Sequence, residues 1–330
     1  MKNKIVMATG HAHAYHRVSA MAAINNGYFR AEGLPEIELK ATGEDHLTIE
    51  SLKSGEIDFG LDVKPGLVIE EYMKGAKIYI IAGMLNYNDL TLIATPDINT
   101  IADLKGKKIG VIEQGGGREV MWLRMLLRKE GLDPDKDVTW ITEAGHGSLN
   151  IQTPRLQRGD YHAVALSGMC KRPEVFEEAR QAGFNVVAER SETHPEGFPD
   201  RLLATMGETL EKYPQMVKGV IKGIVRGYRF ARQDKNADKI REMYLTCDWG
   251  KEGFGWGEFD KTLLEGMVRV AKVLPHDGRI SQSGFDSIIA ELKAWGKVPP
   301  TFTKDQVLRL DLLQQVLSEL NAQYGPEGYA

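Results

Sequence analysis

The stretch "EGLPEIELKATGEDHLTIESLKSGEIDFGL", residues 32–61, decides the fold. Short apolar runs at 36–41 and 57–61 predict two strands, and a helical pattern at 46–54 lies between them. Gly55 stands where that helix should end, the position that a helix C-terminus prefers for glycine. A strand, a helix and a second strand of these lengths are typical of a βαβ unit in a largely parallel sheet.

The same alternation continues on both sides of this stretch. Strands are predicted at 4–9 and 77–84 and helices at 16–26 and 66–74. After residue 95 the pattern restarts, with strands in "KKIGVI", "VTWITEA", "HAVALS" and "FNVVAE" and helices in "REVMWLRMLLRKEG", "LNIQTPRLQRG" (interrupted near Pro154) and "PEVFEEARQAG". Beyond about residue 205 the strands stop, and helices are predicted at about 207–232, 236–246, 258–272, 281–295 and 304–321.

A weak internal repeat links the two halves of this pattern. Residues 32–61 share the order helix end, Glu-Gly-Leu, strand, loop with His, helix and strand with residues 130–166, and His46 and His146 occupy equivalent places. Any two βαβ units share much of this order, but the repeat favours two similar α/β lobes around one cleft. We expect lobe one to comprise about 1–90 plus 200–330 and lobe two about 95–195, with crossovers near "TLIATPD" and "RLLATMG".

Composition excludes several classes of protein. The 330 residues carry a formal net charge of -4, and this mild acidity argues against nucleic acid as a partner. No window approaches the ~18 consecutive apolar residues of a transmembrane segment. Cys170 and Cys247 form no disulfide framework or zinc cluster and are interpreted as partly buried thiols. The N-terminus has no apolar region typical of a signal peptide. The protein is therefore expected to be periplasmic or extracytoplasmic if Met1 replaces a removed leader, and cytoplasmic if Met1 is native.

Three histidines, His11, His13 and His16, lie in "IVMATGHAHAYHRVSAM", residues 5–21. His-x-His after a first strand resembles the opening of metal-dependent amidohydrolase barrels. Such a barrel needs further His ligands on later strands and a late Asp, whereas here the strands stop near residue 205 and the late region supplies only His276. No fourth ligand for a structural zinc is found. No G-x-S-x-G elbow is present either. The loop is therefore read as the floor of a pocket for a small anion, or as a cap of the helix that follows.

Two further segments carry candidate anion contacts. "EQGGGREV", residues 113–120, is neither a P-loop nor G-x-G-x-x-G, but it places three glycines before a helix N-terminus, where backbone N–H groups bind anions and Arg118 can add a bidentate contact. A plain loop with a solvated arginine is the alternative. "GLDVKPG", residues 60–66, places Asp62 and Lys64 just past a strand, with Pro65 opening the next helix. Lys64 either balances an anionic ligand or pairs with Asp62 on the surface.

These segments lie in a chain that resembles, over nearly its whole length, the ABC-transporter solute-binding proteins for sulfonates, taurine, nitrate, aromatic acids and thiamine precursors. "AAINNGYFRAEGLPEIEL" is the most specific match, and "SLKSGEIDFGL", "TIADLKGKKIGV", "YPQMVKGVIKGIVRGYRFAR" and "DGRISQSGFDSIIAEL" are similar to further family segments. "HAYH" also resembles the first loop of the fungal thiamine-pyrimidine synthase, but the cysteine-rich motif of that enzyme is missing.

The resemblance implies an α/β type II periplasmic-binding-protein fold, with two lobes joined by two crossovers around a ligand cleft. It implies capture of a small anionic, aromatic or heteroaromatic molecule for ABC-type uptake, with no cofactor, no metal and a transporter permease as partner if the protein is exported. The rival is a cytoplasmic decarboxylase-, desulfinase- or pyrimidine-synthase-like enzyme that uses the histidine loop. The candidate ligand-binding residues are His11, His13, Tyr15, His16, Thr42, Asp62, Lys64, Asn86, Gly116, Gly117, Arg118, His146 and Ser167.

Overall fold

A computed structural model describes residues 3–10, 14–86, 90–111, 118–142, 149–166, 174–246, 264–266, 268 and 277–329. The strands in these ranges are β1 (Lys4–Thr9), β2 (Glu36–Ala41), β3 (Phe59–Val63), β4 (Ile78–Leu85), β5 (Thr91–Ala94), β6 (Lys108–Val111), β7 (Thr139–Thr142), β8 (Ala163–Leu166), β9 (Asn185–Glu189) and β10 (Arg201–Met206). The α-helices are α1 (Ala14–Asn25), α2 (Tyr28–Ala31), α3 (Asp45–Ser54), α4 (Pro65–Met73), α5 (Arg118–Lys129), α6 (Leu149–Arg158), α7 (Glu174–Gln181), α8 (Arg190–Thr193), α9 (Gly207–Lys212), α10 (Pro214–Arg232), α11 (Ala237–Thr246), α12 (Gln282–Ala294) and α13 (Asp311–Tyr324).

The strands form two five-stranded sheets with the same internal plan. The first sheet has the order β2-β1-β3-β10-β4, and the second has the order β7-β6-β8-β5-β9. In each sheet the first three strands are parallel, and the fourth runs against both of its neighbours. The βαβ unit β2-α3-β3 of the first sheet corresponds in position to β7-α6-β8 of the second, so the internal repeat seen in the sequence is confirmed as a repeat of topology.

The reversed strand of each sheet is the one that arrives from the other sheet. The chain leaves the first sheet at β4 and enters the second at β5, and it leaves the second at β9 and returns at β10. The segments that were expected to hold the crossovers, "TLIATPD" and "RLLATMG", consist mostly of β5 and β10, the strands with which the chain enters the second sheet and re-enters the first. The chain passes between the sheets just before each of them, and two α/β lobes joined by two crossovers result.

Each sheet is covered by helices on both faces. One apolar cluster of lobe one joins β1, β3 and β4 to α1, α10 and α13, and a second joins α3 and α4 to α12. In lobe two, α5 packs on one face of the sheet and α7 on the other. The inner strands β3, β5, β8 and β10 are thereby buried almost throughout, as a largely parallel sheet requires, whereas the edge strands β2, β7 and β9 are only partly covered. Of the helices in the described ranges, none is long and apolar enough to cross a membrane.

A row of glycines on α10 lets α1 and α2 approach it closely. Gly223 and Gly227 lie four residues apart, and therefore one above the other on the same face of the helix. A Cβ atom at Gly227 would stand 1.9 Å from the carbonyl oxygen of Ser19 in α1, and one at Gly223 would stand 2.3 Å from the ring of Phe29 in α2. The absence of side chains at these two glycines sets the distance between the helices.

Two helices expected as continuous are divided in the structure. The segment predicted as one helix over 207–232 is α9 and α10, separated at Tyr213, whose φ of -133° and ψ of 49° are not helical. Pro214 follows Tyr213, and the residue before a proline is disfavoured in the α region. The C-terminal segment 304–321 is also not one helix, because residues 307–309 pair with the free edge of β4: Ile80 donates to the carbonyl of Val307, and Arg309 donates to the carbonyl of Ile80, both at 2.9 Å.

Pro154 does not interrupt its helix, contrary to the sequence prediction. It lies within α6, which continues from Leu149 to Arg158. A proline at this place removes one backbone hydrogen bond of the helix, and the turns on either side remain helical.

Candidate functional site

The polar residues of lobe one gather at the carboxyl edge of its sheet. β1 ends at Thr9 and β3 at Val63, while the reversed β10 begins at that edge with Arg201. The register places Leu202 opposite Val63 and Arg201 opposite Leu85. Side chains that follow the parallel strands and the first side chain of β10 are therefore brought to one place, the edge at which open α/β sheets bind ligands.

Five charged or ionisable side chains meet there, and we name them the cleft-edge cluster: His16, Asp45, Asp62, Lys64 and Arg201. Asp62 Oδ2 lies 2.6 Å from His16 Nδ1, and Asp62 Oδ1 lies 3.5 Å from Arg201 Nε. Asp45 Oδ2 accepts from both Lys64 Nζ at 2.8 Å and Arg201 Nη1 at 2.9 Å. The cluster forms one connected network, in which Arg201 links the two carboxylates.

The cluster is buried, and its formal charges balance. Each of the five residues is at most 9% exposed. Two carboxylates face the fixed positive charges of Lys64 and Arg201, so the cluster is neutral when His16 is neutral and carries one positive charge when His16 is protonated. The short distance between Asp62 Oδ2 and His16 Nδ1 makes Asp62 the charge partner of His16 when the imidazole is protonated. Because buried ions are costly without partners, each carboxylate is needed to keep the cations in place.

Local sequence explains how each residue reaches the cluster. Asp45 is the first residue of α3, where the positive end of the helix dipole favours a carboxylate. It packs against the backbone of Gly10, where a Cβ would stand 2.3 Å from Asp45 Oδ1. Pro65 occupies the first turn of α4, as predicted, and Lys64 is the residue before it. Next to His16 on α1, Arg17 is fully buried and donates from Nε to Thr9 Oγ1 at 2.5 Å.

The structure changes two details of the prediction for this segment. Asp62 lies inside β3 and not past its end, because the strand runs two residues further than the apolar run indicated. Lys64 is buried and its amine contacts Asp45, so the expected alternative of a surface pair with Asp62 is wrong.

His16 lies inside α1 and contacts Asp62, so it is not merely a cap of that helix.

Thr42 and Asn86, also predicted as ligand contacts, have protein partners. The hydroxyl of Thr42 lies 2.7 Å from Thr48 Oγ1 and 3.2 Å from the carbonyl of Thr9. Asn86 Oδ1 accepts from the backbone N–H of Ser281 at 3.3 Å. These contacts hold the residues that directly follow β2 and β4, and a direct role of Thr42 or Asn86 in ligand binding remains a prediction.

For the predicted ligand-binding residues of lobe two, the structure gives only the positions of the neighbouring helix and strand. α5 begins at Arg118, directly after the predicted glycine loop, and β8 ends one residue before Ser167. The remaining predicted positions lie outside the described residues or have side chains outside them: His11, His13, Tyr15, Gly116, Gly117, Arg118, His146 and Ser167. Among the described residues, no group of three or more His, Cys, Asp or Glu side chains is arranged to hold a metal ion.

Lobe two approaches the cluster through the first turn of α5. Met121 lines a narrow crevice together with Lys64, Pro65 and Gly66 of lobe one and residues 198–200 of the returning crossover. Lys64 is thus the member of the cleft-edge cluster that stands against the second lobe.

Comparison with known proteins identifies the family of the chain. A family model described as NMT1/THI5 like matches residues 15–237, which is more than half of the chain. The chain belongs to this family. A candidate binding protein of Brucella abortus (strain 2308) is 31% identical over 261 residues, covering 75% of this chain and 74% of that protein.

Solved structures show the same fold. The periplasmic nitrate-binding protein NrtA of Synechocystis PCC 6803 matches 97% of this chain and 89% of its own, with a TM-score of 0.67 and 14% identity. The periplasmic aliphatic sulphonate-binding protein SsuA of Escherichia coli matches 93% and 92%, with a TM-score of 0.64 and 16% identity. The two-lobed type II periplasmic-binding-protein fold expected from the sequence is therefore confirmed.

Two residues of the cluster, Asp45 and Arg201, were not among the sequence candidates. Each carried a usable signal. Asp45 is an acidic residue at the start of a predicted helix, and Arg201 is a charge that opens the otherwise apolar run "RLLATM". A buried arginine in an apolar strand needs a buried partner, which makes such a residue worth testing as part of a site.

Proposed function

We propose that this protein is a solute-binding protein that captures a small anion between its two lobes for ABC-type uptake. The observation that carries the proposal is the convergence of α1, α3, β3 and β10 on one buried, connected polar cluster that stands against the second lobe. Membership of the NMT1/THI5-like family and the nitrate- and sulphonate-binding proteins of the same fold support the role.

The charge balance of the cluster determines where the anionic group of the ligand binds. Lys64 and Arg201 are already compensated by carboxylates, so within the cleft-edge cluster an extra positive charge for an anion comes only from protonated His16. The main positive contribution then comes from lobe two, from the N-terminus of α5 with Gly116, Gly117 and Arg118. A planar part of the ligand, aromatic or heteroaromatic, stacks on Tyr15. Histidines 11, 13 and 146, with Thr42, Asn86 and Ser167, complete the contacts.

The lobes are assigned to about 1–90 plus 200–330 and about 95–195. In this role the protein works outside the cytoplasm and delivers its ligand to the permease of an ABC transporter. The transport proteins NrtA and SsuA, which are periplasmic by their descriptions, support this location.

Calorimetric titration tests the proposal. Nitrate, methanesulfonate, benzenesulfonate and benzoate are titrated into the wild-type protein, with benzyl alcohol as the uncharged control. We expect at least one anion to bind with a 1:1 stoichiometry and the alcohol not to bind. Arg118→Ala then weakens binding by about 1.5–3 kcal/mol, the range for a hydrogen bond to a charged group. Arg158→Ala, an exposed arginine of the same lobe, leaves affinity unchanged. Equal affinities in all three proteins would remove Arg118 from the site.

An enzyme on the same scaffold is the second candidate, and the His16–Asp62 pair favours it. A carboxylate 2.6 Å from Nδ1 can orient an imidazole, and an oriented imidazole is what a general base needs. Mass spectrometry of the bound anion after prolonged incubation separates the two functions. An unchanged ligand supports binding, whereas consumption that is lost in His16→Gln supports catalysis.

A further inference from the structure

Helix α5 belongs to the cores of both lobes. Val120, Leu123 and Leu127 lie in the core of lobe two, where they face its sheet. Met121 lies in an apolar cluster of lobe one and Met125 packs against that cluster. The two sets fall on different faces of the helix, so α5 is an element through which the described part of lobe two rests on lobe one.

The face toward lobe one also carries two arginines that share one buried carboxylate. Arg124 and Arg128 follow Met121 and Met125 at helical spacing, and both donate to Glu291 of α12. The distances are 2.9 Å from Arg124 Nε to Glu291 Oε1 and 2.9 Å from Arg128 Nε to Glu291 Oε2. Glu291 is 4% exposed.

Arg124 is held on every side. Its Nη1 and Nη2 donate to the two carboxylate oxygens of Asp135 at 2.7 and 2.8 Å, and its guanidinium carbon lies 4.0 Å from the centre of the Trp295 ring. Burial lowers the pKa of Arg124, but the hydrogen bonds to Asp135 and Glu291 outweigh burial and leave that pKa raised. Arg124 is therefore a permanent cation, and Glu291 and Asp135 determine its place.

The apolar contacts of Met121 and Met125 with lobe one are not directional, so on their own they select neither a rotation nor a position of α5 on that lobe. Charge-assisted hydrogen bonds from two arginines to one carboxylate fix both the rotation of the helix and its position along its axis. Arg124 lies six residues after Arg118, about 9 Å along the helix at 1.5 Å per residue. A small rotation at Arg124 therefore changes where the N-terminus of α5 stands relative to the cleft-edge cluster.

We propose that Glu291 is a positioning residue for the ligand site: through Arg124 and Arg128 it holds α5 in the orientation at which the N-terminus of this helix binds the anion. This inference rests on the proposed function. Glu291 itself lies on α12, whose apolar face packs in lobe one, and it acts on the ligand only through α5.

Glu291→Gln tests the inference, because glutamine keeps the shape of the side chain and removes its charge. Asp286→Asn is the matched control on the same helix, since Asp286 forms an exposed pair with Lys304 inside lobe one. Hydrogen exchange followed by mass spectrometry is measured first, without ligand. We expect faster exchange over α5 in Glu291→Gln and wild-type exchange in the control. Wild-type exchange over α5 in Glu291→Gln would overturn the inference, and this measurement needs no ligand.

Titration with the panel anion that wild type binds most tightly gives the second measurement. Glu291→Gln should weaken binding by about 2- to 30-fold, the usual range of coupling through a protein. The loss should shrink when Arg118→Ala is already present, a coupling that a purely structural role would not produce. Full affinity in Glu291→Gln would overturn the inference, whereas no binding by the wild type would instead overturn the proposed function.

If Glu291→Gln fails to fold, Arg128→Gln replaces it. The Arg128 side chain is 30% exposed, so its loss leaves Arg124 and Glu291 paired with each other. The same changes are then expected in the same direction and to a smaller extent, and their absence would likewise overturn the inference.

Discussion

A substitution at Gly227 should separate α1 from α10 and lower the stability of lobe one. An added Cβ would stand 1.9 Å from the carbonyl oxygen of Ser19, whereas ordinary contact begins at 3.4 Å, so the helices must move apart by about 1.5 Å. The obstacle is backbone, which has no other rotamer to adopt. Overpacking costs about 1–3 kcal/mol, and a clash with rigid backbone belongs at the upper end of that range. Alanine regains about 1 kcal/mol of helix propensity, so the expected net loss is about 2 kcal/mol.

Two other glycines of α10 extend this prediction to an order of stability losses. A Cβ at Gly223 would meet the Phe29 ring at 2.3 Å, and one at Gly219 would meet the Leu34 side chain at 3.2 Å. A ring can tilt and a leucine can yield by a few tenths of an ångström. We therefore expect the loss of stability to fall in the order Gly227→Ala, Gly223→Ala, Gly219→Ala, with the last close to wild type.

Urea unfolding followed by circular dichroism measures the three variants side by side. A midpoint for Gly227→Ala at or above that of wild type would refute the argument, because the contact with Ser19 would then be accommodated without cost. A larger loss in Gly219→Ala than in Gly227→Ala would refute the proposed ordering. Ser19 is three residues after His16 on the same helix face, so Gly227→Ala should also disturb the contact between His16 and Asp62.

Three further outcomes are expected. Asp45→Asn leaves Lys64 and Arg201 buried with one counter-ion fewer and should cost about 3–5 kcal/mol in urea unfolding; a loss under 1 kcal/mol would mean that the cations are compensated in another way. Burial lowers the pKa of His194 below its ordinary value of about 6.5. As the pH drops below 7, the unfolded chain therefore takes up a proton at this imidazole before the folded chain does, and the stability of the folded state should fall. In His194→Gln this loss between pH 7.5 and 5.5 should be smaller, and an unchanged pH profile would contradict the assignment. Anion affinity measured by titration should rise as the pH falls from 8 to 5, because protonated His16 adds a positive charge; a metal-dependent site would show the opposite slope and sensitivity to EDTA, and flat binding by folded protein would exclude His16 from the site.

The fold could be predicted from the sequence because its information is local. Strands such as β3 and helices such as α3 are visible as apolar runs and helical patterns, and glycines mark the ends of helices. The C-terminal segment was misread for a nonlocal reason. Residues 307–309 bond to Ile80, more than two hundred residues earlier in the chain, and no local pattern reveals that partner.

The site was predictable only in part, for the same reason. Asp62 and Lys64 were found because they follow an apolar run directly. Arg201 was missed because its significance depends on Asp45, 156 residues away, and on a strand that inserts between β3 and β4. His16 was found, but its partner Asp62 was not assigned to it, since the pairing depends on how α1 packs across the sheet edge.

The insertion of β10 between β3 and β4 has a consequence for the order in which the protein is made. All five strands of the second sheet are contiguous, within residues 91–189, whereas the first sheet lacks one of its inner strands until residue 206 has been synthesised. A nascent chain that has emerged as far as β9 can complete the sheet of the second lobe. In the first lobe, β3 and β4 cannot take their final places until β10, which lies between them, has been synthesised. The lobe that begins the chain is therefore the last to close, and the cleft-edge cluster, which needs Arg201, is assembled at that final step.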